Sequence, residues 1–231
     1  MHDDTFTEFT FEGFKNSSPI ICNSQPLLNY LIFLEWDPAV KSYFQPGVEI
    51  TVDFENKKHS AKIELWIEYH DRKTELVQFL DREWIEHFND NPLLYTMFEN
   101  FCQSRDCSYM PINVDDSENE ALISNLNLLW NNARREIKMT HVMLINNFFA
   151  KVRETNLGRL TNVLINADFG AELIYTLIFH KLILADILYF PLSEKTTVLA
   201  GYVHSNSEKA SPILIIEKLN SIIGTSQTIT F

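Results

Sequence analysis

The sequence predicts an α/β protein whose C-terminal part is mainly helical, and three observations carry that prediction. Residues 24–36 place Leu27, Leu28, Leu31 and Leu34 at helical spacing, which forms one wide apolar face. Ile63, Leu65, Ile67 and Tyr69 alternate with Glu64, Trp66, Glu68 and His70, the period of a half-buried strand. From about Thr140 the apolar spacing turns helical again and stays so to about Lys181.

The elements follow in order. Phe6, Phe9, Phe11 and Phe14 alternate before a polar Asn16-Ser17-Ser18-Pro19 turn. The first helix ends at Asp37-Pro38, because the residue before a proline is pushed out of helical geometry. Gln45-Pro46-Gly47 is a second break, and strands are expected at Val48–Phe54, Ser60–His70 and Thr74–Leu80. Asp81 caps a helix over Arg82–Phe88, and another spans Leu93–Gln103. A short strand at Tyr109–Val114 precedes an acid-led helix that starts at Asp115-Asp116-Ser117-Glu118 and continues over Ala121–Arg135. Helices at Val142–Val152 and Leu160–Asn166 come next, then a third capped by Asp168 and running to Lys181. Strands at Ile187–Phe190 and Thr197–Tyr202 surround Pro191-Leu192-Ser193. Three helices followed by a small hairpin make a winged-helix pattern. The expected domains are residues 1–136 and 140–205, with a tail over 206–231 that includes an apolar run at Ile213–Ile216.

Composition narrows the function classes. The 231 residues, 45% hydrophobic and 13% aromatic with 6 Gly and 8 Pro, suit folded domains. The formal charge of −12 disfavours unaided tight binding to nucleic acid or an anionic membrane. Cys22, Cys102 and Cys107 are an odd set without a Cys-x-x-Cys pair, so they read as reduced core thiols of a cytoplasmic protein. The acidic N-terminus is not a signal peptide. The most apolar stretch, 173–190, carries His180, Lys181 and Asp186 in its middle, which argues against a membrane span.

Leu34-Glu35-Trp36-Asp37-Pro38-Ala39-Val40 followed by Phe44-Gln45-Pro46 resembles the TnsA family, the endonuclease subunits of heteromeric cut-and-paste transposases. Asn125-Leu126-Asn127-Leu128-Leu129 is similar to a helix at the end of that family's nuclease domain. Leu177-Ile178, His180-Lys181, Asp186 and Pro191-Leu192-Ser193 are similar to its winged-helix core. The likeness runs from about Gly13 to about Tyr202. It implies a restriction-endonuclease-like PD-(D/E)XK core followed by a winged helix.

The resemblance also implies where the chemistry should sit. Such nucleases hold divalent metal with carboxylates, activate a water on it, and place a lysine nearby. The helix acid falls on Leu27, three residues after Ser24. Glu35 is eight residues further on, roughly 12 Å along and about 80° around a helix, so it cannot stand in. The second-strand Pro-Asp aligns with Ile63-Glu64. The third strand keeps Gln78 at the Glu/Gln position but has Leu80 where the lysine belongs. No catalytic residue and no cofactor are therefore expected, and the enzyme question leans to no. A relocated set of Glu64, Glu68, His70 and Gln78 is weighed against the ordinary case, in which alternating polar residues face solvent.

DNA contact is weighed similarly. Over 140–205 the cations Lys151, Arg153, Arg159, Lys181 and Lys195 are matched by Glu154, Asp168, Glu172, Asp186 and Glu194, so there is no basic face. The segment 14–23, basic in many relatives, has only Lys15. Arg134, Arg135 and Lys138 are the densest basic spot left. The expectation is a catalytically inactive TnsA-like subunit of a transposition complex. It would contact a TnsB-like transposase, a TnsC-like AAA+ ATPase and a second, active TnsA-like subunit, with DNA met only within the complex. The alternative is a divergent, active endonuclease cutting transposon ends, with Mg²⁺ held by Glu64 and Gln78.

Overall fold

In the computed structural model, which describes residues 7–113 and 119–201, the first helix is capped by Ser24, whose hydroxyl accepts the Leu27 N–H at 3.4 Å. Two short strands precede it, β1 (Phe9–Phe11) and β2 (Ile20–Cys22), which pair antiparallel. Helix α1 (Gln25–Trp36) buries Leu27, Leu31 and Leu34 of the stripe its spacing predicts, leaves Leu28 half-buried, and buries Ile32 as well. Sequence reading missed β1 and β2, and also β3 (Val40–Phe44), which lies between the two proline breaks.

β4 (Val48–Phe54) and β5 (Lys57–Ile63) form a hairpin whose turn holds Glu55 and Asn56 at positive φ. The strand expected over 60–70 is two strands. It breaks at Glu64, so β5 pairs with β4 and β6 (Leu65–Tyr69) pairs with β3 and β7 (Thr74–Leu80). α2 (Arg82–Asp90), capped by Asp81, and α3 (Pro92–Gln103), with Pro92 in its first turn, lead into β8 (Cys107–Asn113). The main sheet has the order β3-β6-β7-β8, with β7 and β8 parallel and the other pairs antiparallel. A parallel pair needs a crossover, and α2 with α3 supplies it.

One core lies between the hairpin, this crossover and one face of the sheet. Ile50, Ala61 and Ile63 meet Leu76, Leu80, Phe88, Leu94, Phe98 and Tyr109 there. Aromatic rings dominate it: Phe98 stacks on Tyr109 at 5.4 Å, and Phe88 meets Phe98 edge-on at 6.2 Å.

The chain divides into two compact units, 1–117 and 118–231. The helix α4 (Glu120–Trp130), expected to close the first domain at 136, therefore belongs to the second unit. It is capped by Asn119 and ends five residues before Arg135, while its expected acidic start, 115–118, lies outside the described residues. α5 (Met139–Phe149), β9 (Glu154–Asn156), α6 (Leu157–Asn166), α7 (Leu173–Phe179), β10 (Ile183–Ala185) and β11 (Thr197–Ala200) follow. The small sheet is antiparallel in the order β10-β11-β9. Asp168 does not cap α7; it follows α6 with φ of 60°, and Glu172 precedes α7. The strand expected at Ile187–Phe190 is a loop, and the strand that pairs with Thr197–Ala200 is Ile183–Ala185. The apolar run at 213–216 and the end of the Thr197–Tyr202 strand lie outside the described residues. No helix among the described residues is long and apolar enough to cross a membrane.

The end of α1 is fixed by a buried carboxylate. Glu35, 4% exposed, accepts the Tyr43 hydroxyl at 2.5 Å and the backbone N–H groups of Phe14 and Lys15 at 2.8 and 3.1 Å. A Cβ on Gly13 would lie 2.0 Å from Glu35 Oε1, so only glycine lets the loop approach this closely. Lys15 Nζ donates at 2.8 Å to Leu34 O, whose helical donor position is Pro38, and at 2.5 Å to Asp37 O, which also accepts the Val40 N–H. Burial pushes the Lys15 pKa down to about 8, against the pull of Glu35 and Asp37. Asp37, itself buried, accepts the Ala39 N–H at 2.9 Å and turns the chain into β3. Glu35→Ala leaves three donors without their acceptor and should cost about 3 kcal/mol in urea unfolding. A loss under about 1 kcal/mol would show that the loop finds other partners.

Candidate functional site

The four positions that the resemblance marks for chemistry are all occupied by structural contacts. Leu27 sits in the first turn of α1 with 3% exposure. Its helix packs on the sheet face that carries Phe79, since Tyr30 meets the Phe79 ring edge-on at 5.7 Å. Strand alternation turns Leu76, Gln78 and Leu80 the other way, toward α2 and α3. The helix position and the third-strand pair thus belong to opposite faces.

Glu64 stands where the chain leaves β7 to join the hairpin. Its N–H donates to Val77 O at 2.9 Å, and its carboxylate accepts the Phe79 N–H at 3.1 Å. The side chain so supplies an acceptor that the departing strand no longer offers. Burial raises its pKa above the usual carboxylate value, partly offset by the Phe79 hydrogen bond and Lys62. Gln78, 3% exposed, accepts a short hydrogen bond from the Tyr109 hydroxyl. Burial pushes that hydroxyl well above the ordinary tyrosine range. Leu80 lies in the aromatic core with Phe88, Leu94 and Phe98.

A divalent cation needs several oxygen ligands facing one space. Here two of the four positions are buried leucines, the Glu64 carboxylate binds backbone, and the Gln78 carbonyl binds Tyr109. These residues do not fit a metal. The relocated set does not converge either. Glu68 accepts the Ser42 hydroxyl at 2.9 Å and pairs with Lys41 at 3.5 Å, while the break at Glu64 interrupts the strand that was to carry them all. Among the described residues no three His, Cys, Asp or Glu side chains are grouped to hold a metal ion. The three cysteines are buried free thiols, and burial pushes Cys102 up to about 12, far from the thiolate a metal would need.

The basic positions are engaged as well. Arg134 lies 5.6 Å from the Trp130 ring, Arg135 Nε donates to Asn132 Oδ1 at 2.9 Å, and Lys138 pairs with Glu136 at 3.9 Å. All three are exposed at a helix end. In α7, the last of the three helices, Leu173, Ile174, Thr176, Leu177, Ile178 and Phe179 are buried. Thr176 Oγ1 donates to Asn132 O at 2.9 Å, His180 Nε2 bonds Ala133 O at 2.8 Å, and Phe179 meets Trp130 at 5.8 Å. A helix packed so closely against α4 and the turn after it offers little surface to a DNA groove.

Sequence reading missed the residues with the most connected side chains. Glu35 was set aside because it is misplaced for catalysis, and its role appears only when Tyr43 and residues 13–15 close around it. Asn125 was noted as part of a motif, but nothing in that motif shows that its amide reaches residues 187–192. No family model matches the chain, and no curated protein matches it significantly.

Two measurements follow. Leu80→Lys, which places at this position the lysine that the resemblance implies, puts an ammonium among aromatic rings and should lower unfolding stability by about 3 kcal/mol or more. A loss under about 1 kcal/mol would show that the position opens to water. The raised Glu64 pKa means the native state holds this proton more tightly than the unfolded chain does. Its contribution is most favourable below the usual carboxylate pKa and is lost as pH rises through the raised value. Glu64→Gln should flatten that part of the stability–pH curve, leaving the slope from Glu75, which burial also raises. An unchanged curve would place the Glu64 carboxylate in solvent.

Proposed function

We propose that this chain is a TnsA-like subunit of a DNA transposition complex that no longer cuts DNA and acts through protein contacts. The supporting features are its retained frame and the residues that fill it. A helix, three antiparallel strands, a helical crossover and a parallel fourth strand follow the order expected of a restriction-endonuclease-like core. In the second unit, the order α5-β9-α6-α7-β10-β11, three helices with a small antiparallel sheet, supports the winged-helix reading. The observation that carries the loss of cutting is Leu80, a core residue at the expected lysine position, beside a Gln78 already bonded to Tyr109.

The buried α7 supports a protein-contact role for the winged helix, because the helix that would enter a groove is enclosed. Lys15 supports the same reading. Its ammonium closes the end of α1 rather than facing a phosphate. The partners on this reading are a transposase, its AAA+ ATPase and an active TnsA-like subunit.

Supercoiled plasmid carrying transposon ends, incubated with Mg²⁺ or Mn²⁺ alone and with a TnsB-like transposase and a TnsC-like ATPase, tests the proposal. The chain should bind one of those proteins in a pull-down and add no nicks of its own. Metal-dependent nicking that disappears in Glu64→Ala would instead establish an active, divergent endonuclease.

A further inference from the structure

Two histidines from different elements meet beside the aromatic core of the first unit. His59 on β5 and His87 in the last turn of α2 are both half-buried. His59 Nδ1 and His87 Nε2 lie 3.0 Å apart, a hydrogen-bond distance, and the ring centroids are 5.0 Å apart. Phe54 meets the His59 ring edge-on at 5.9 Å, and Trp84 meets the His87 ring edge-on at 5.8 Å. The bond joins the tip of the β4–β5 hairpin to α2 between two aromatic walls.

Protonation decides whether this bond exists. A neutral imidazole has one donor and one acceptor nitrogen, and a protonated one has two donors. One of the two rings must therefore keep a bare nitrogen at the contact. While at least one ring is neutral, a single N–H fills the gap. With both protonated, two N–H groups and two positive charges face each other across 3.0 Å.

We propose that His59 and His87 form an acid-sensitive latch, which holds the hairpin tip against α2 while either ring is neutral and releases it when both are protonated. The charged groups around the pair do not alter this logic. Strand alternation puts Lys57 on the His59 face of β5, with Asp53 and Lys58 on the other face and Glu55 in the turn. On α2, Glu83 and Asp90 lie one turn from His87, while Arg82 and Glu86 pair with each other at 2.9 Å. α3 packs Phe98 on Trp84 and adds Tyr95 and Glu99, its single charged residue. β7 turns Leu76, Gln78 and Leu80 to this side. Acids here can offset the repulsion between two imidazolium rings, but they cannot supply the missing acceptor. The latch does not depend on the transposition reading.

A double-mutant cycle at two pH values tests the latch, using the full chain, His59→Ala, His87→Ala and the double variant with EDTA present. Both side chains are half-buried, so the variants should fold. Protons taken up by Glu64 and Glu75 are common to all four chains and cancel in the cycle. At about pH 7.5 the coupling should be about fivefold in the urea unfolding constant, as expected of one net hydrogen bond. At about pH 5, below the ordinary imidazole value of about 6.5, it should vanish or change sign. In the unsubstituted chain, NOEs between the two rings should be present at the higher pH and lost at the lower. Equal coupling at both pH values, no coupling at the higher one, or NOEs that persist in acid overturns the proposal. So does a Zn²⁺-dependent rise in melting temperature that either single variant abolishes, which would make the pair a metal site.

Discussion

A carboxylate buried at the end of the first helix is the constraint on which the first unit depends. Glu35 gathers the Tyr43 hydroxyl from β3 and two N–H groups from the loop after β1. A buried carboxylate without such donors would be costly, so the loop and the strand must close around it together. Lys15, carried by the same loop, then covers the carbonyls at the helix end. Gly13 is required there because any side chain would collide with the carboxylate. The Leu-Glu-Trp-Asp-Pro stretch is therefore a folding device. Glu35 ties β3 to the loop, and Asp37 makes the turn between α1 and β3.

The same logic extends to the four positions that the sequence resemblance marks for chemistry. Each is spent on a contact that the fold needs: Leu27 and Leu80 on cores, Gln78 on Tyr109, Glu64 on the backbone of Phe79. Glu64 marks the point where one strand serves two sheets, and its carboxylate takes an N–H that the divergence leaves over. A side chain committed in this way has less freedom to turn toward a metal or a phosphate.

Much of the fold was legible in the sequence, and the reasons for the exceptions are physical. α1, the β4 strand, β7, α2 and α3 follow from apolar period and Asp81, with α3 starting at Pro92, one residue before the expected Leu93. β1, β2 and β9 are three residues long, too short for a period to register. The run 60–70 keeps one alternation through Glu64, so its pattern cannot reveal a change of partner. Ile187–Phe190 has strand composition, yet its backbone is bonded by Asn125, a residue 62 positions away from Ile187. At the candidate site, the residue types were legible, as was the apolar character of positions 27 and 80, both of which are buried. The engagement of Glu64 and Gln78 was not, because it depends on strand register and on Tyr109.

Thermal unfolding of the full chain titrated with Mg²⁺ and Mn²⁺, against NaCl at matched ionic strength, tests the central claim most directly. If Leu27, Glu64, Gln78 and Leu80 are committed to the fold, the divalent ions will raise the melting temperature no more than the matched salt does. A saturable, metal-specific rise that vanishes in Glu64→Ala would contradict it, because ligand bound only by the native state stabilises by mass action.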